Sequence, residues 1–269
     1  PDVVIGSAFF IERSGYLLTN HHVIESEVDP EYEGYSRLFV RLGKSNSEKI
    51  PAKVVGWDPV FDLALLKVEM TAPALVPLTR IDSVRPGMSV MAFGSPGGLE
   101  NTVTAGITSN LDRRLLLMGD VMQIDASVNP GNSGGPLFTS DGDFVGIVFA
   151  GIPQFQGVNF SVPAFWIADL LPSLVQEGKV KHPWLGLRLF EFRGAVRALY
   201  VVPGSPAWEM GVSPGDIIEA LNGQPVGSIA DAYRQINRIS NGELVNLSWR
   251  TGGNSLLDAA FTEKLMEGM

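Results

Sequence analysis

Cysteine is absent from this sequence, and its absence removes several kinds of chemistry at once. Without cysteine there is no disulfide, no catalytic thiol and no cysteine-bound zinc. The cellular compartment is left open, because many bacterial envelope proteins also lack cysteine. Long apolar runs are absent too: none reaches about 18 residues, so the sequence predicts no membrane-spanning helix. We expect neither a metal ion nor a cofactor.

Basic residues are also fewer than acidic residues. The 269 residues include 20 Lys and Arg against 29 Asp and Glu, which gives a formal charge of −9 and a sequence pI near 4.9. A net acidic chain lacks the basic stripe that phosphate contact requires, so the composition excludes nucleic acid as a partner. Hydrophobic residues make up 45% of the chain and charged residues only 18%, which is enough apolar material for a folded core.

Short apolar runs separated by Gly, Pro, Asn and Asp dominate the first two-thirds of the chain. With no helical pattern between the runs, this spacing predicts a mainly β fold, either barrels or a sandwich. The first convincing helix follows Pro163 and runs towards Gly178. Pro172 lies inside this stretch and predicts a kink or two abutting helices.

The length suggests two domains. We expect a β-rich domain over 1–178, a linker over 179–183, and a second domain over 184–269 that mixes strands with two short helices. Asn222-Gly223 in the second domain is a typical two-residue hairpin turn. The whole net charge lies on the first domain, because residues 179–269 carry equal numbers of basic and acidic side chains.

Histidine is scarce, which narrows the search for a catalytic base. The chain contains only His21, His22 and His182. The most distinctive serine, Ser133, lies in the run Asn-Pro-Gly-Asn-Ser-Gly-Gly-Pro at 129–136. Its glycines permit tight turns in which the amides of Gly131 and Ser133 form an oxyanion hole. A glycine-rich β-turn without catalytic function is the alternative.

The order of these residues separates two classes of serine hydrolase. Gly131-Asn132-Ser133-Gly134-Gly135 matches the nucleophile elbow of α/β-hydrolases, which needs a following helix and a Ser–acid–His order. Pro136 opposes such a helix, and the only later histidine is in the linker. The reverse order, His–acid–Ser, is present as His22, Asp62 and Ser133. In such a triad the imidazole takes the serine proton, and the carboxylate fixes the tautomer of the imidazole.

Four motifs in this order resemble those of the HtrA (Deg) family of serine proteases. They lie at Thr19–Ile24, Asp62–Lys67, Gly94–Ile107 and Asp125–Leu137. The first is similar to the family's TNxHV segment and selects His22 over His21 as the base. The second resembles its DLAVLK segment and implies Asp62 as the third member. The third and fourth are similar to a GSPxGLxxTVTxGI stretch and to the family's nucleophile loop, and we interpret the Gly94–Gly98 portion as a barrel turn.

The resemblance implies a chymotrypsin-like double β-barrel and an ATP-independent serine endopeptidase of the bacterial periplasm or cell envelope. Its substrates would be unfolded or misfolded proteins, in protein quality control or stress signalling. Ser127 stands where trypsin-like enzymes carry the acid that selects Lys and Arg, so we predict cleavage after small or medium apolar residues. Ile152 and Phe155 are expected to line the same pocket, and a surface loop is the alternative for 154–156.

The second domain resembles a PDZ module. Trp184, Leu185, Gly186 and Leu187 are similar to the loop whose backbone amides capture a C-terminal carboxylate. Residues 204–207 and 211–218 resemble the SPA and PGDxI signatures. The resemblance implies that C-terminal peptides bind as an added strand beside a helix at 229–239 and regulate the protease. The alternative is a domain that packs on its neighbour and binds nothing.

Other functions stay open from the sequence alone. A peptide-binding chaperone or stress sensor with little proteolysis is the main rival, and a peptidoglycan or ester hydrolase is a third. The resemblance also implies a homotrimer, although only five residues precede Gly6, where family members have a longer segment with trimer contacts. Five acids closely follow His22: Glu25, Glu27, Asp29, Glu31 and Glu33. They predict a preference for basic residues near the cleaved bond, unless they form only a solvated loop.

Overall fold

The computed structural model describes residues 4–31, 37–43, 48–78, 84–99, 101–114, 120–151, 155–236, 239, 244–251, 256–262 and 264–265. The chain divides into two compact units, Pro1–Val180 and Lys181–Met269. In the segment 179–183, Lys179 forms a β-bridge with Trp57 of the first unit, and Pro183 begins a strand of the second. The residue limits predicted for the linker stay a prediction.

The first sheet of unit 1 is antiparallel and has five strands in the order β1-β2-β5-β4-β3. The strands are β1 (Phe9–Glu12), β2 (Tyr16–Thr19), β3 (Phe39–Val40), β4 (Ile50–Asp58) and β5 (Leu63–Val68). Residues 63–66 are buried on both faces because β5 lies centrally, which explains why its sequence is continuously apolar. A helix, α1 (His21–Val28), follows β2 after a single residue.

The next six strands close into a barrel with the order β10-β11-β8-β7-β6-β9. They are β6 (Ser89–Gly94), β7 (Thr102–Arg114), β8 (Asp120–Ile124), β9 (Pro136–Thr139), β10 (Phe144–Gly151) and β11 (Asn159–Pro163). A short 3-10 turn, Pro96–Gly98, lies between β6 and β7. The interpretation of Gly94–Gly98 as a barrel turn is therefore confirmed.

Helix α2 (Ala164–Gln176) follows β11 and packs its buried side chains against both sheets of unit 1. These side chains are Trp166, Ile167, Leu170 and Leu174. The helix is continuous through Pro172, so of the two predicted alternatives the pair of abutting helices is wrong, and the kink stays a prediction. Pro172 removes one backbone hydrogen bond, and the buried apolar face offsets this loss. No helix in the described ranges is long and apolar enough to cross a membrane.

Unit 2 is a second small β domain. Its strands are β12 (Pro183–Trp184), β13 (Leu187–Phe192), β14 (Ala195–Val201), β15 (Ile217–Leu221), β16 (Gln224–Pro225), β17 (Leu244–Arg250), β18 (Leu256–Thr262) and β19 (Lys264–Leu265). The main sheet has the order β13-β14-β15-β17-β18, with β16 paired to β15. The helices are α3 (Pro206–Glu209) and α4 (Ile229–Ile236).

The hairpin turn predicted at Asn222-Gly223 is confirmed. Leu221 pairs with Gln224, and both turn residues have positive φ, 48° at Asn222 and 74° at Gly223. This is the combination that a two-residue type I′ turn requires. The mainly β fold class, with two barrel-type sheets followed by a β-rich domain, is confirmed as well. Helix α1 was not predicted, because an eight-residue helix gives only a weak periodic signal.

Candidate active site

His22 and Asp62 form a doubly hydrogen-bonded pair at the junction of β2, α1 and β5. The Nδ1 atom of His22 lies 2.7 Å from Oδ2 of Asp62, and the backbone N–H of His22 donates to Oδ1 at 2.8 Å. Both carboxylate oxygens therefore hold the same residue. Because Nδ1 donates to the carboxylate, Nε2 keeps the lone pair that a general base needs.

Asp62 has an unusual backbone conformation, with φ of +53° in the left-handed region. Two hydrogen bonds fix it: the side-chain amide of Asn20 and the backbone N–H of His21 donate to the Asp62 carbonyl at 2.8 and 3.1 Å. The preceding residue, Phe61, is fully buried and packs against Trp166, with ring centroids 5.0 Å apart and ring planes tilted by 41°. The carboxylate is therefore aimed at His22 by the backbone and by the core.

Asn20 is a site residue that the sequence reasoning missed. It is fully buried, although a polar residue between an apolar strand and a helix would ordinarily be a solvated cap. Its hydrogen bond to Asp62 spans 42 residues of sequence. In the sequence, Asn20 is marked only by its position in the TNxHV segment, where it precedes both histidines.

The environment of His22 acts on its pKa in opposite directions. Burial of the imidazole lowers the pKa, whereas the hydrogen bond to Asp62 and the negative charges of Asp62 and Glu25 raise it. The raising effects outweigh burial, so the pKa of His22 lies above its ordinary value of 6.5. An imidazolium cannot accept a proton, so this shift sets the acidic limit of any reaction that uses His22 as base.

The acidic limb of a pH profile is expected to report this pKa. With His22 as base, kcat/KM for a peptide substrate should fall as the pH decreases through an apparent pKa above 6.5. Glu25→Gln removes one of the raising charges and should move the limb to lower pH, more at low salt than at high salt. Initial rates between about pH 5 and pH 9 measure both. A wild-type limb at or below 6.5 would contradict the assignment of His22.

Ser133 lies in the connection between β8 and β9, and β10 holds this connection in place. The amide of Gly134 donates to Val148 O, and the amide of Val148 donates to Gly135 O, both at 2.9 Å. The Ser133 hydroxyl donates to the carbonyl of Phe149 at 3.2 Å. Within the described parts of the chain no hydrogen bond joins this hydroxyl to His22. The serine side chain must therefore turn before His22 can take its proton.

Glycine is required on both sides of Ser133. Gly131 and Gly134 have φ of +105° and +85°, and a Cβ at either position would overlap a carbonyl oxygen, of Ser95 and Ser7 respectively. In the part of the chain that the structure describes, the amides of Gly131 and Ser133 donate no hydrogen bond. Both amides are therefore available to an incoming oxyanion, and the assignment of these two residues to an oxyanion hole stays a prediction.

The predicted specificity pocket is only partly described. Ser127 is exposed, and its carbonyl accepts hydrogen bonds from Thr104 Oγ1 at 2.9 Å and Asn132 Nδ2 at 3.4 Å. Ser127 is thus tied to the residue before Ser133. The side chain of Phe155 is 63% exposed, and Ile152 lies outside the described residues. The assignment of these three residues to the pocket stays a prediction.

The acidic cluster is solvent-exposed where it is described. Glu25 and Glu27 lie on α1, and Asp29 and Glu31 follow it. Glu33 lies outside the described residues. Exposure is compatible with either substrate steering or a solvated loop, so the preference for basic residues stays a prediction.

The predicted peptide-binding loop of unit 2 lies between β12 and β13. Leu185 is buried, and Gly186 has φ of +71° where a Cβ would overlap the Ser205 side chain. Over the described ranges the amides of Leu185 and Gly186 donate no hydrogen bond. The carbonyls of the same two residues accept from Ala207 N and Val202 N, at 3.1 and 2.8 Å, which fixes the loop.

Strand β13, which follows this loop, lies at one end of the main sheet of unit 2. Helix α4 contacts β13. Trp184 pairs with Lys264, and Leu187 with Val201. A sheet edge, an adjacent helix and a loop with free amides are what the addition of a peptide strand requires.

Comparisons with known proteins agree with this geometry. The trypsin-like peptidase domain family matches residues 6–147, and the PDZ domain family matches residues 197–251. A probable periplasmic serine endoprotease, DegP-like, from Hahella chejuensis is 36% identical over 260 residues, which are 90% of this chain and 53% of that protein. A putative serine protease, HhoB, from Synechocystis is 33% identical over 92% of this chain and 63% of that protein.

The solved structures include an HtrA-type protease, AlgW with tripeptide, which has a TM-score of 0.84 and 29% identity and covers 98% of this chain and 90% of that one. The chain belongs to the trypsin-like peptidases, a class of serine endopeptidases, and within them to the HtrA-type proteases that carry a PDZ domain. The sequence-based recognition and the chymotrypsin-like fold are thereby confirmed. The chain spans about half the length of the DegP-like relatives that it matches.

Proposed function

We propose that this chain is an ATP-independent serine endopeptidase that cleaves unfolded or misfolded proteins in the bacterial periplasm. The observation that carries the proposal is the His22–Asp62 pair with its 2.7 Å hydrogen bond, in the same domain as a serine flanked by glycines in left-handed conformations. The periplasmic location is supported by the names of the DegP-like relatives.

The proposed chemistry assigns one role to each group. Ser133 Oγ leaves Phe149 O and attacks the peptide carbonyl, while His22 Nε2 takes the hydroxyl proton and Asp62 stabilises the resulting imidazolium. The amides of Gly131 and Ser133 bind the oxyanion. His22 then gives its proton to the leaving amine. In the second half, a water molecule gives a proton to His22 and attacks the acyl-Ser133 ester. The ester C–O bond then breaks, His22 returns the proton to Ser133 Oγ, and the acid is released.

The PDZ domain is proposed to bind C-terminal peptides. A peptide would add as a strand at the edge of β13 beside α4, and the amides of the loop Trp184–Leu187 would hold its carboxylate. Regulation of the protease by such peptides, and a role in quality control or stress signalling, belong to the same proposal. The solved HtrA-type proteases with bound tripeptide and decapeptide support peptide binding as a property of the class.

A fluorophosphonate probe tests this function, because it reacts only with an activated serine. We expect the probe to label Ser133, as mapped by peptide mass spectrometry, and unfolded casein to be cleaved after small or medium apolar residues. Both should be measured with and without a library of C-terminal peptides. A denatured sample is the control for non-specific labelling.

The rival function, a peptide-binding chaperone or stress sensor with little proteolysis, has one observation in its favour: the Ser133 hydroxyl is bonded to Phe149 rather than to His22. An absence of labelling and cleavage with every peptide of the library would establish this rival and overturn the endopeptidase. Labelling that appears only with a peptide would support a regulated protease.

A further inference from the structure

Ser7 makes four hydrogen bonds that connect the first sheet to the nucleophile loop. Its hydroxyl donates to Gly131 O at 2.7 Å and accepts from the amide of Ser95 at 3.1 Å. Its backbone amide donates to Ser133 O at 2.7 Å, and its carbonyl accepts from Thr19 Oγ1 at 2.7 Å. Ser7 therefore holds the carbonyls of the same two residues whose amides form the proposed oxyanion hole.

The peptide planes around Gly131 need such partners. Glycine at a φ of +105° has wide conformational freedom, so the planes on either side of it can rotate at little cost. The preceding plane is held because Gly97 N donates to Pro130 O at 2.8 Å. The following plane is held at Gly131 O by the Ser7 hydroxyl at 2.7 Å and, at its other end, by the bond from Asn132 N to Asn129 O at 2.9 Å. A longer contact of 3.4 Å runs from Ser95 N to Gly131 O.

The plane that carries the second oxyanion donor is fixed separately. Gly135 N donates to Asn132 O at 2.9 Å, which orients the amide of Ser133 because the two groups belong to one peptide unit. Of these contacts, only the one from the Ser7 hydroxyl comes from a side chain. It is thus the one that a substitution can remove while the backbone contacts remain.

We infer that Ser7 is a positioning residue of the oxyanion hole. The inference rests on the proposed peptidase function. The hydroxyl of Ser7 does not reach the substrate. It holds the Gly131–Asn132 peptide unit, which lies between the units that carry Gly131 N–H and Ser133 N–H, so that the two donors keep the relative orientation that an oxyanion needs. Its loss weakens binding of the transition state more than binding of the substrate, so kcat falls while KM changes little.

The experiment compares Ser7→Ala with the wild-type chain on a peptide substrate. We expect kcat to fall by about 10- to 100-fold, below the loss seen when an oxyanion donor is deleted outright, with KM within about twofold. Affinity for a peptide aldehyde, whose hemiacetal oxygen occupies the same hole, should fall in parallel. Ser7→Thr keeps the hydroxyl and is expected to restore most of kcat.

Thr108→Val is the matched control for stability. The hydroxyl of Thr108 also donates to one carbonyl, of Arg85, and accepts from one amide, of Met88, and none of these three residues lies in the segment 129–136. Both variants are expected to lower the melting temperature, and only Ser7→Ala should lower kcat. If Ser7→Ala does not fold, Ser7→Cys fills the same space with a weak donor and should show the same loss.

Two results would overturn the inference. If wild type turns over substrate and Ser7→Ala keeps its kcat, or loses no more than Thr108→Val, Ser7 is only a structural contact and the peptidase assignment stands. If wild type neither cleaves substrate nor reacts with the fluorophosphonate probe, both the peptidase function and the role of Ser7 are wrong.

Discussion

Replacing Ser133 with alanine is expected to lower kcat by on the order of 10⁶-fold. The substitution removes the attacking oxygen, and His22 then has no serine proton to accept. Among the described residues it removes one hydrogen bond, the one to Phe149 O at 3.2 Å, so the fold should be retained. A residual rate above that of uncatalysed hydrolysis in water is expected, because the amides of Gly131 and Ser133 remain in place.

The control for this variant is a serine with the same side chain that lies outside the proposed active site. Ser140 serves this purpose because it lies in the exposed turn after β9. Ser140→Ala should keep full activity, full fluorophosphonate labelling and an unchanged melting temperature. Full cleavage of casein by Ser133→Ala, measured after its purification away from host proteases, would show that the nucleophile is elsewhere.

The residues proposed as catalytic could be identified as candidates because they lie in long local motifs. His22 follows β2 and Asp62 precedes β5, two strands with a clear apolar pattern, and Ser133 lies in a distinctive glycine-rich run. The resemblance of the surrounding segments to one family then fixed which histidine pairs with Asp62. The hydrogen bond of 2.7 Å between His22 and Asp62 is the geometry that this interpretation requires.

The supporting residues could not be predicted in the same way. Ser7 contacts Gly131 across 124 residues, and Ser95 contacts Ser7 across 88. Such contacts depend on how the first sheet packs against the barrel. The chemical type of a single residue does not show this packing. A serine at the start of a strand and an asparagine before a helix have common structural roles, so Ser7 and Asn20 gave no distinctive signal.

Strand prediction failed where closure of the barrel, rather than local pattern, creates the strand. Strand β9 begins with Pro136 and has only four residues, so its sequence gives little strand signal. It becomes a strand because it pairs with both β6 and β10 when the barrel closes. By contrast, β5 and β15 are central strands whose sequences have a clear apolar pattern.

Asp62→Asn is expected to lower kcat by about 10⁴-fold at neutral pH with little loss of stability. An asparagine Oδ1 can still accept from the His22 backbone amide, but its Nδ2 donates to His22 Nδ1 and drives the ring proton onto Nε2. His22 then cannot accept the Ser133 proton. The backbone should tolerate the change, because asparagine adopts the left-handed conformation that Asp62 has, with φ of +53°.

The same variant should also change the titration of His22, which a loss of structure alone would not do in this direction. Burial lowers the pKa of His22, and Asp62 supplies both the hydrogen bond and most of the charge that raise it. Without that carboxylate the pKa should fall below 6.5, as followed by the histidine Cε1–H resonance in an NMR titration. Asp29→Asn, which removes one exposed charge at the end of α1, is the control and should leave kcat nearly unchanged. A His22 pKa that stays above 6.5 in Asp62→Asn, together with kcat within tenfold of wild type, would show that the pair is structural rather than catalytic.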